Sequence, residues 1–389
     1  MEGATAGASF IDGEANADDP NADDPSREPP VSGRPVTRCH ARPCRGGRPR
    51  DAAAVVLCAV LAGCSDQGQV GVEDPRLPVP AAETREVPGY PDRAVLLFGP
   101  APQAGPMPLV LVLHGGASNP EGMRRIACPG GDTESPECLD RLAAAAGIAV
   151  AYPSGGLIGG SWGRARTWNA GGGIDGWKCV SGPACFADAD DVAYVTAVVE
   201  DLATTYAIDR TQVFVTGLSN GAAMSYRLAC DSDLVRAIAP VSGANQLAAA
   251  QGCSRKLAPS VLHIHGTADP CWPFQGGPGG CIDPTPGAFV GVEESLAGTA
   301  ADLGCERAPS SEPLPDPATD GMTTTRVEWR GCDDGKRLVL LRVSGGGHTW
   351  PRGYQYLPAT NVGPMTSDFS ANEQILDFFR DVGSAPKGP

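Results

Sequence analysis

The sequence predicts an α/β fold in which a mostly parallel, doubly wound sheet carries helices on both faces. Uninterrupted apolar runs at 109–113 and 148–152 are typical of strands that are buried on both faces of a parallel sheet. Helix-forming stretches at 139–146 and 189–206 alternate with such runs, which is the pattern of a parallel sheet wound with helices. Long loops rich in Gly and Pro follow most strand ends, where open sheets of this kind hold their sites.

The predicted strands are short apolar or β-branched runs that end at turn-forming residues. In chain order they are 94–98, 109–113, 148–152, 213–216, 237–241, 260–265, 324–329 and 337–343. The predicted helices have helix-forming composition and, in the second, apolar residues at helical spacing. They are 139–146, 189–206, 222–229, 292–303 and 372–381. The stretches 153–187 and 308–320 are predicted to be loops, because Gly and Pro recur in them.

One junction between a strand and a helix has the features of a nucleophile position. The β-rich run 213–216 meets Gly217-Leu218-Ser219-Asn220-Gly221, and the helix-forming run 222–229 follows at once. In this context a serine sits on a strained turn, so its hydroxyl stands clear of the backbone. A second Gly-x-Ser-x-Gly match, centred on Ser161, lies in a Gly-rich loop with no helical run after it. We therefore interpret Ser161 as a loop residue and Ser219 as the candidate nucleophile.

The candidate base follows by elimination, since this fold places the nucleophile, the acid and the histidine in that order along the chain. Of the five histidines, His40 and His114 precede Ser219. His263 and His265 lie within a strand, with little room for an acid between them and Ser219. A metal pair is conceivable there, but satisfied core histidines are the favoured interpretation, and no metal is expected. His348 remains, in a Gly-rich loop directly after a strand.

The candidate acid is Asp269, which follows the strand 260–265 within Gly266-Thr-Ala-Asp-Pro270. A carboxylate there would accept the Nδ1 proton of His348 and stabilise the imidazolium form. Asp316, Asp320, Asp333 and Asp334 lie in loops or turns that the sequence does not place at the edge of the sheet.

The backbone N–H groups of Asn220 and of Gly116 are expected to bind an oxyanion. Asn220 directly follows the candidate nucleophile, and Gly116 lies in the loop after an early strand, in His114-Gly115-Gly116. Ala117 is an alternative to Gly116 as the second donor. His114 itself is expected to brace the loop rather than to react.

Composition limits the classes of partner. The 389 residues are 42% hydrophobic and 19% charged, which suits a globular protein. The formal net charge of −15 argues against nucleic acid as a partner. We expect a monomer that works without a cofactor.

The N-terminal 63 residues are predicted to be an acidic disordered extension followed by a signal peptide. A cluster of arginines precedes the apolar run 52–63, which is too short to span a bilayer comfortably. The run ends in Leu61-Ala-Gly-Cys64 and resembles a bacterial lipobox, so Cys64 is a candidate lipidation site; an ordinary signal peptide is the alternative. The true translation start is predicted near Val36. A tether is predicted at 64–92, a catalytic domain at 93–382 and a tail at 383–389.

Cysteine usage supports export to an oxidising compartment. Four of the 14 cysteines belong to the leader and the lipobox, which leaves an even set of ten. None of the ten has the spacing of a zinc site. Neighbour pairing into five disulfides is the simplest choice, although the sequence does not fix connectivity. The pairs would be Cys128–Cys138, Cys179–Cys185, Cys230–Cys253, Cys271–Cys281 and Cys305–Cys332.

Seven short motifs in register carry a resemblance to a known family. They are Leu113-His-Gly-Gly116, Trp168-Asn169, Ala189-Asp-Asp-Val192, Gly217-Leu-Ser-Asn-Gly-Ala-Ala-Met224, Ala239-Pro-Val-Ser-Gly243, His265-Gly-Thr-Ala-Asp269 and Gly346-Gly-His-Thr-Trp-Pro351. Over roughly 93–381 the chain resembles the polyhydroxybutyrate depolymerase and feruloyl esterase-like family of secreted α/β-hydrolases. The resemblance implies an α/β-hydrolase fold, a triad at Ser219, Asp269 and His348, and esterase chemistry on an ester substrate that could be polymeric.

The resemblance and the loop aromatics give expectations about substrate. Trp168, Asn169 and Trp350 are expected to contact it, and Trp177 and Trp272 also fall in loops near the proposed site. The leading substrate is a short hydroxyalkanoate polyester or its oligomers. The alternative is a feruloyl or acetyl ester on plant polysaccharide, and a catalytically idle surface-binding lipoprotein is the alternative from another class.

Overall fold

The computed structural model describes residues 81–101, 105–157, 165–180, 182–254, 258–281 and 286–385. The strands are β1 (Glu83–Val87), β2 (Tyr90–Phe98), β3 (Met107–Leu113), β4 (Ala149–Pro153), β5 (Gly156–Leu157), β6 (Arg166–Thr167), β7 (Ile208–Leu218), β8 (Ala237–Val241), β9 (Ser260–Gly266), β10 (Gly277–Pro278), β11 (Ala288–Phe289), β12 (Ser310–Pro313), β13 (Thr323–Trp329) and β14 (Leu338–Ser344). The helices are α1 (Pro120–Ile126), α2 (Leu139–Ala145), α3 (Asp191–Thr205), α4 (Asn220–Asp231), α5 (Gln246–Ala250), α6 (Val292–Asp302), α7 (Ala359–Val362) and α8 (Ala371–Ser384).

Ten strands form one sheet in the order β1-β2-β4-β3-β7-β8-β9-β14-β13-β12. The six central strands pair in parallel, in the order β4-β3-β7-β8-β9-β14. Antiparallel strands flank them on both sides. The α/β fold with a mostly parallel, doubly wound sheet is therefore confirmed, and the carboxyl ends of the central strands share one edge.

Two apolar cores lie on opposite faces of the sheet, because successive side chains of a strand point to opposite sides. In β3, Leu111 belongs to one core and Val112 to the other. The first core packs under α3, α4 and α6 and contains Tyr194. The second packs under α1, α2 and α8 and contains Phe379, which stacks on the Phe214 ring with centroids 4.8 Å apart. Because both faces of the central strands are buried, these strands are uninterrupted apolar runs in the sequence.

Two edge regions differ from the sequence prediction. The stretch 64–92 was expected to be a tether, but β1 lies within it and pairs with β2. Its alternating exposed side chains hide the strand pattern, and Arg85 pairs with Asp201 on α3. The stretch 308–320 was expected to be a loop, but it contains β12, which pairs with β13 at the other edge. Pro313 ends this edge strand, where a missing N–H is tolerated.

Several predictions concern residues outside those described. The leader 1–63, the lipidation candidate Cys64 and the second serine motif at Ser161 all belong to this group. The predicted tail begins at 383, whereas α8 continues to Ser384, so the boundary was two residues early. None of the helices among the described residues has both the length and the apolar character that crossing a bilayer requires.

Five disulfides join the ten cysteines of the described chain as neighbours in sequence. The pairs are Cys128–Cys138, Cys179–Cys185, Cys230–Cys253, Cys271–Cys281 and Cys305–Cys332. Each closes a loop of between 6 and 27 residues. The disulfide-stapled loops expected from the sequence are therefore present, and one of them, Cys271–Cys281, follows β9 at the carboxyl edge of the central strands.

Candidate active site

Ser219 occupies a strained turn between β7 and α4. Its φ angle is 58° and its ψ angle is −117°, a backbone conformation that a residue with a side chain rarely adopts. The Ser219 N–H donates to the Val241 carbonyl oxygen at 2.9 Å, which pins the turn to β8. A Cβ atom at Gly221 would lie 2.2 Å from the Leu113 carbonyl oxygen, so only glycine lets α4 approach β3 this closely. These are the features of the nucleophile elbow that the sequence predicts.

Asp269 and His348 lie on two neighbouring loops at the same edge of the sheet. The first follows β9 and the second follows β14, and these strands pair in parallel. The Nδ1 atom of His348 lies 2.7 Å from Oδ2 of Asp269. The two loops interlock: the Ala268 N–H donates to the Gly346 carbonyl oxygen at 2.9 Å. A Cβ atom at Gly266 would lie 2.1 Å from that same oxygen, which explains the glycine there.

The Asp269 carboxylate is buried, and both of its oxygens have hydrogen-bond donors. Its Oδ1 atom accepts the backbone N–H groups of Cys271 and Trp272, each at 2.8 Å. Burial works to raise the pKa of this carboxyl, but the charge of His348 and hydrogen bonds from His265 and His348 hold the pKa well below its usual range. Asp269 is therefore an anion that can hold the His348 imidazole in its Nδ1–H tautomer.

Ser219 and His348 line one pocket of about 220 Å³ at the carboxyl edge of the sheet. Its walls are mostly apolar and include Trp272 and Phe289, whose ring centroids are 4.4 Å apart. Tyr356 lies beside His348 and donates its hydroxyl proton to the His348 carbonyl oxygen at 3.1 Å. The other lining residues are Gly115, Gly116, Ala117, Ser118, Ile126, Lys178, Val180, Leu218, Cys271, Gly280, Cys281 and Leu357.

Of the two segments expected to bind an oxyanion, the one after β3 borders the pocket, whereas Asn220 is buried directly behind Ser219 and does not line it. Gly116 and Ala117 both line it. The Asn220 side chain points away into the core, where its Oδ1 accepts the Trp168 N–H at 2.7 Å and its Nδ2 donates to the Val180 carbonyl oxygen at 2.9 Å. These bonds fix the start of α4 and hence the direction of the Asn220 backbone N–H.

His114 braces the Gly115–Gly116 loop, as expected. Its Nδ1 lies 2.8 Å from the Gly115 carbonyl oxygen, and its Nε2 accepts the Gly155 N–H at 2.9 Å. These partners require a neutral ring with the proton on Nδ1. Burial lowers the pKa of His114 from 6.5 to about 4, which keeps it neutral over the physiological range.

The structure does not place the expected substrate contacts Trp168, Asn169 and Trp350 at the pocket. None of the three lines the pocket, and all are buried. The Trp168 indole N–H donates to the His114 carbonyl oxygen at 2.9 Å, and that of Trp350 donates to Asn372 at 2.8 Å. The Asn169 side chain donates to the Ala189 carbonyl oxygen at 3.0 Å. These side chains fasten loops to the core, where large aromatic surfaces are most stabilising.

Phe289, Tyr356 and Leu357 are among the pocket residues that sequence reasoning missed. No pattern marks them, since each lies in a loop or a two-residue strand whose position depends on distant packing. Trp272 was noted as a loop aromatic. Its position three residues after Asp269 is the sequence feature that could have marked it as a pocket residue. Trp177, noted with it, does not line the pocket.

His263 and His265 are core histidines with protein partners on every ring nitrogen. His263 Nδ1 lies 3.0 Å from the Tyr226 hydroxyl, and its Nε2 lies 3.1 Å from His265 Nδ1. His265 Nε2 lies 2.9 Å from the Trp272 carbonyl oxygen. This is the satisfied arrangement favoured from the sequence, and it leaves neither ring a lone pair for a metal ion.

Known proteins with similar sequences are esterases by name. A protein named "Putative esterase NocK", from Nocardia uniformis subsp. tsuyamanensis, is 31% identical over 282 residues, which cover 70% of this chain and 73% of that protein. "Probable feruloyl esterase C" from Aspergillus niger is 30% identical over 182 residues, which cover 46% of this chain and 56% of that protein. No family model matches the chain.

Among solved structures, an acetyl xylan esterase from Aspergillus awamori aligns with a TM-score of 0.43 and 18% identity over 69% of this chain and 94% of that chain. The fold and the sequence relatives define the class: the protein is a carboxylic ester hydrolase with an α/β-hydrolase fold. The chain belongs to the polyhydroxybutyrate depolymerase and feruloyl esterase-like family of α/β-hydrolases.

Proposed function

We propose that the protein is a serine esterase that works through an acyl-enzyme. The Ser219 Oγ atom attacks the ester carbonyl carbon while His348 Nε2 takes the hydroxyl proton. The tetrahedral intermediate carries its negative charge on oxygen, and the N–H groups of Asn220 and Gly116 stabilise it. His348 returns the proton to the alcohol as the bond between carbon and the alcohol oxygen breaks. Water then attacks the acyl-enzyme with the same base, which releases the acid and restores the Ser219 hydroxyl.

One observation carries this proposal: a serine on a strained elbow and a histidine held by a buried carboxylate line the same pocket. Ser219 comes from the turn after β7, Asp269 from the loop after β9 and His348 from the loop after β14. A serine hydroxyl is a poor nucleophile until a base takes its proton, and His348 is oriented for that task. Members of the family carry ester hydrolysis in their names, which agrees with this chemistry.

The test compares two serines in the same sequence motif. We expect Ser219→Ala to lose at least about a thousand-fold in kcat on p-nitrophenyl butyrate, while remaining folded by circular dichroism. Ser161→Ala is the matched control and is expected to keep wild-type activity, because its motif is followed by no helix-forming run. A fluorophosphonate probe should label wild type and Ser161→Ala but not Ser219→Ala. An active Ser219→Ala enzyme, or a wild type that fails to label and turns over nothing, would reject the proposal.

For the acyl group, the pocket walls favour a flat aromatic ring such as a hydroxycinnamoyl group. Trp272 and Phe289 form an aromatic corner beside Ser219, and such faces hold rings by offset stacking. The naming of several relatives as feruloyl esterases points the same way. A short hydroxyalkanoate polyester is the second candidate. It is supported by the seven motifs in register and by the small, largely apolar pocket.

Substrate panels on two variants distinguish these candidates. Phe289→Leu keeps an apolar wall but removes the ring, so kcat/KM for methyl ferulate should fall about five-fold or more relative to p-nitrophenyl butyrate. Phe378→Leu, in α8 of the opposite core, is the matched control and should leave the ratio unchanged. Turnover of hydroxybutyrate trimers with no turnover of methyl ferulate would reject the aromatic proposal in favour of the polyester.

We also propose that the protein is exported and anchored by a lipid on Cys64. The Leu61-Ala-Gly-Cys64 segment supports this, as do five disulfides, which are typical of oxidising compartments. In a bacterial host, wild type and Cys58→Ser should incorporate labelled palmitate, whereas Cys64→Ser should not. Labelling of Cys64→Ser would refute the anchor. N-terminal sequencing of Cys64→Ser would also locate the processing site.

We also propose that the protein is a monomer, which light scattering on the purified protein would test.

A further inference from the structure

A row of buried polar side chains runs from Asp269 away from the pocket. Tyr226 on α4 contacts His263 at 3.0 Å, and His263 contacts His265 at 3.1 Å. The far nitrogen of His265 lies 2.9 Å from the Trp272 carbonyl oxygen and 3.3 Å from Oδ2 of Asp269. All three side chains of the row are at most 1% exposed, and none lines the pocket. The row therefore meets the candidate site through the carboxylate of Asp269 and through the backbone carbonyl of Trp272.

The acceptors at the Asp269 end fix where the protons of this row lie. The Trp272 carbonyl oxygen and the Asp269 carboxylate can only accept, so His265 carries a proton on Nε2. Burial holds the pKa of His263 well below its usual value, with a smaller contribution from His265, so His263 is neutral and has one proton to place.

The opposite end of the row supplies donors. The Tyr226 hydroxyl lies 3.0 Å from His263 Nδ1 and can donate its proton there. This leaves the single proton of His263 on Nε2. His263 then donates from Nε2 to His265 Nδ1, and His265 donates from Nε2 toward Asp269 and Trp272. Every bond in the row points toward Asp269, and no group of the row is left unsatisfied.

We propose that His265 is a positioning residue for the Asp269 carboxylate, and that Tyr226 and His263 hold His265 in the tautomer that this requires. The proposal rests on the role of Asp269 in the proposed function. Oδ1 of Asp269 is tied by two backbone N–H groups, but a carboxylate held by one oxygen can still rotate. The Nε2–H of His265 is the second contact of Oδ2, the oxygen that faces His348. It therefore fixes the plane of the carboxylate and draws charge from that oxygen.

Two variants of His265 separate positioning from mere core packing. His265→Leu removes the donor, so Oδ2 gains negative charge and moves more freely. We expect kcat to fall between about ten-fold and a hundred-fold, KM to stay within about two-fold, and the acidic limb of kcat/KM against pH to move to higher pH. His265→Gln places an amide N–H near the former Nε2 and should restore both kcat and the limb to near wild type.

The remote end of the row has its own test with a matched control. Tyr226→Phe removes only the hydroxyl that donates to His263, so the acidic limb of kcat/KM should also move to higher pH, but by a smaller amount than in His265→Leu. In the His265→Leu background, Tyr226→Phe should cause no further shift of the acidic limb, since both residues act through the same row of hydrogen bonds. Tyr194→Phe removes another buried hydroxyl, one that donates to the Arg93 carbonyl oxygen, and should leave the limb in place.

The outcomes distinguish this proposal from the one on which it rests. Activity in Ser219→Ala would refute the serine mechanism, whereas the proposal on His265 is overturned if His265→Leu is folded with an unmoved limb, or if Gln fails to restore what Leu loses. Nitrogen-15 NMR of the histidine rings gives a readout independent of activity and of variant folding. We expect His265 to be protonated on Nε2 and unprotonated on Nδ1, and a proton on Nδ1 would also overturn the proposal.

Discussion

The Nδ1 atom of His348 lies 2.7 Å from Oδ2 of Asp269, although 79 residues separate the two in sequence. The contact arises because β9 and β14 are parallel neighbours, so the loops that follow them leave the sheet side by side. The order of strands in the sheet thus brings the two groups together. The carboxylate can be tested by a change to Asn, because Asp269 does not line the pocket and Asn keeps an oxygen that can accept the N–H groups of Cys271 and Trp272.

We predict that Asp269→Asn lowers kcat by about a thousand-fold to ten-thousand-fold near neutral pH. The amide keeps the shape of the carboxylate but not its charge, so it neither stabilises the imidazolium nor holds the Nδ1–H tautomer of His348. Steady-state kinetics on p-nitrophenyl butyrate measure the loss.

The control for this change is Asp316→Asn, in an exposed loop before β13, which should retain activity. Asp316 is a useful comparison because it also lies between Ser219 and His348 in sequence. An Asp269→Asn enzyme within about ten-fold of wild type would mean that another group orients His348.

Two glycines in helices should respond to alanine in opposite ways. A Cβ at Gly221 would lie 2.2 Å from the Leu113 carbonyl oxygen, so Gly221→Ala must push α4 away from β3, at a cost of about 1–3 kcal/mol, and displace Ser219 with it. A Cβ at Gly298, in α6, would meet no atom of another part of the described chain within 4 Å, so Gly298→Ala should stabilise by up to about 1 kcal/mol. Urea unfolding measures both, and equal effects would contradict the packing argument.

The parts of the site that follow strand ends were predictable from sequence. Ser219 is marked locally, because the two glycines and the change from strand to helix all lie within a few residues. Asp269 and His348 follow from chain order and from their places directly after strands. These features depend on backbone topology, which hydrophobic patterning fixes well.

The lining of the pocket was not predictable, since it depends on which way a loop side chain turns. Trp168, Trp272 and Trp350 all stand in loops, yet only Trp272 of the three lines the pocket. The other two turn inward because buried acceptors, the His114 carbonyl and Asn372, are placed to receive their indole N–H groups. Similarly, β1 was missed because the outward-facing charges of an edge strand hide its alternation.

We predict that acidification destabilises the fold through His114. Its pKa is about 4 in the folded protein and near 6.5 when unfolded, so between these values the unfolded chain binds a proton that the folded chain does not. The free energy of unfolding should therefore be unaffected by His114 above pH 6.5. It should fall by about 3 kcal/mol as the pH drops to 4. Urea unfolding at a series of pH values measures this slope.

The matched variant is His114→Gln, which does not titrate and places an amide oxygen where Nε2 accepts the Gly155 N–H. Its stability should vary less between pH 6.5 and 4 than that of wild type. His263 is also buried and neutral, so part of the slope should remain. An unchanged slope in His114→Gln would show that His114 is already exposed to protonation in the folded state.

The disulfide Cys271–Cys281 should support activity as well as stability. Cys271 lies two residues after Asp269, its N–H donates to Oδ1 of that residue, and both cysteines line the pocket. Replacing both by alanine frees a loop of 10 residues and should cost about 3 kcal/mol of stability. Because the freed loop also carries Trp272 and a hydrogen bond to Asp269, kcat should fall by about ten-fold or more.

Cys305–Cys332 provides the comparison, since it closes a loop of 27 residues and neither cysteine lines the pocket. Its removal should cost about 3–4 kcal/mol by the same argument from chain entropy, yet leave kcat unchanged at a temperature where the variant is folded. The two variants thus lose comparable stability but differ in activity. Equal activity at matched folded fractions would mean that the backbone N–H groups hold Asp269 without help from the disulfide, and that the loop after β9 is rigid through packing alone.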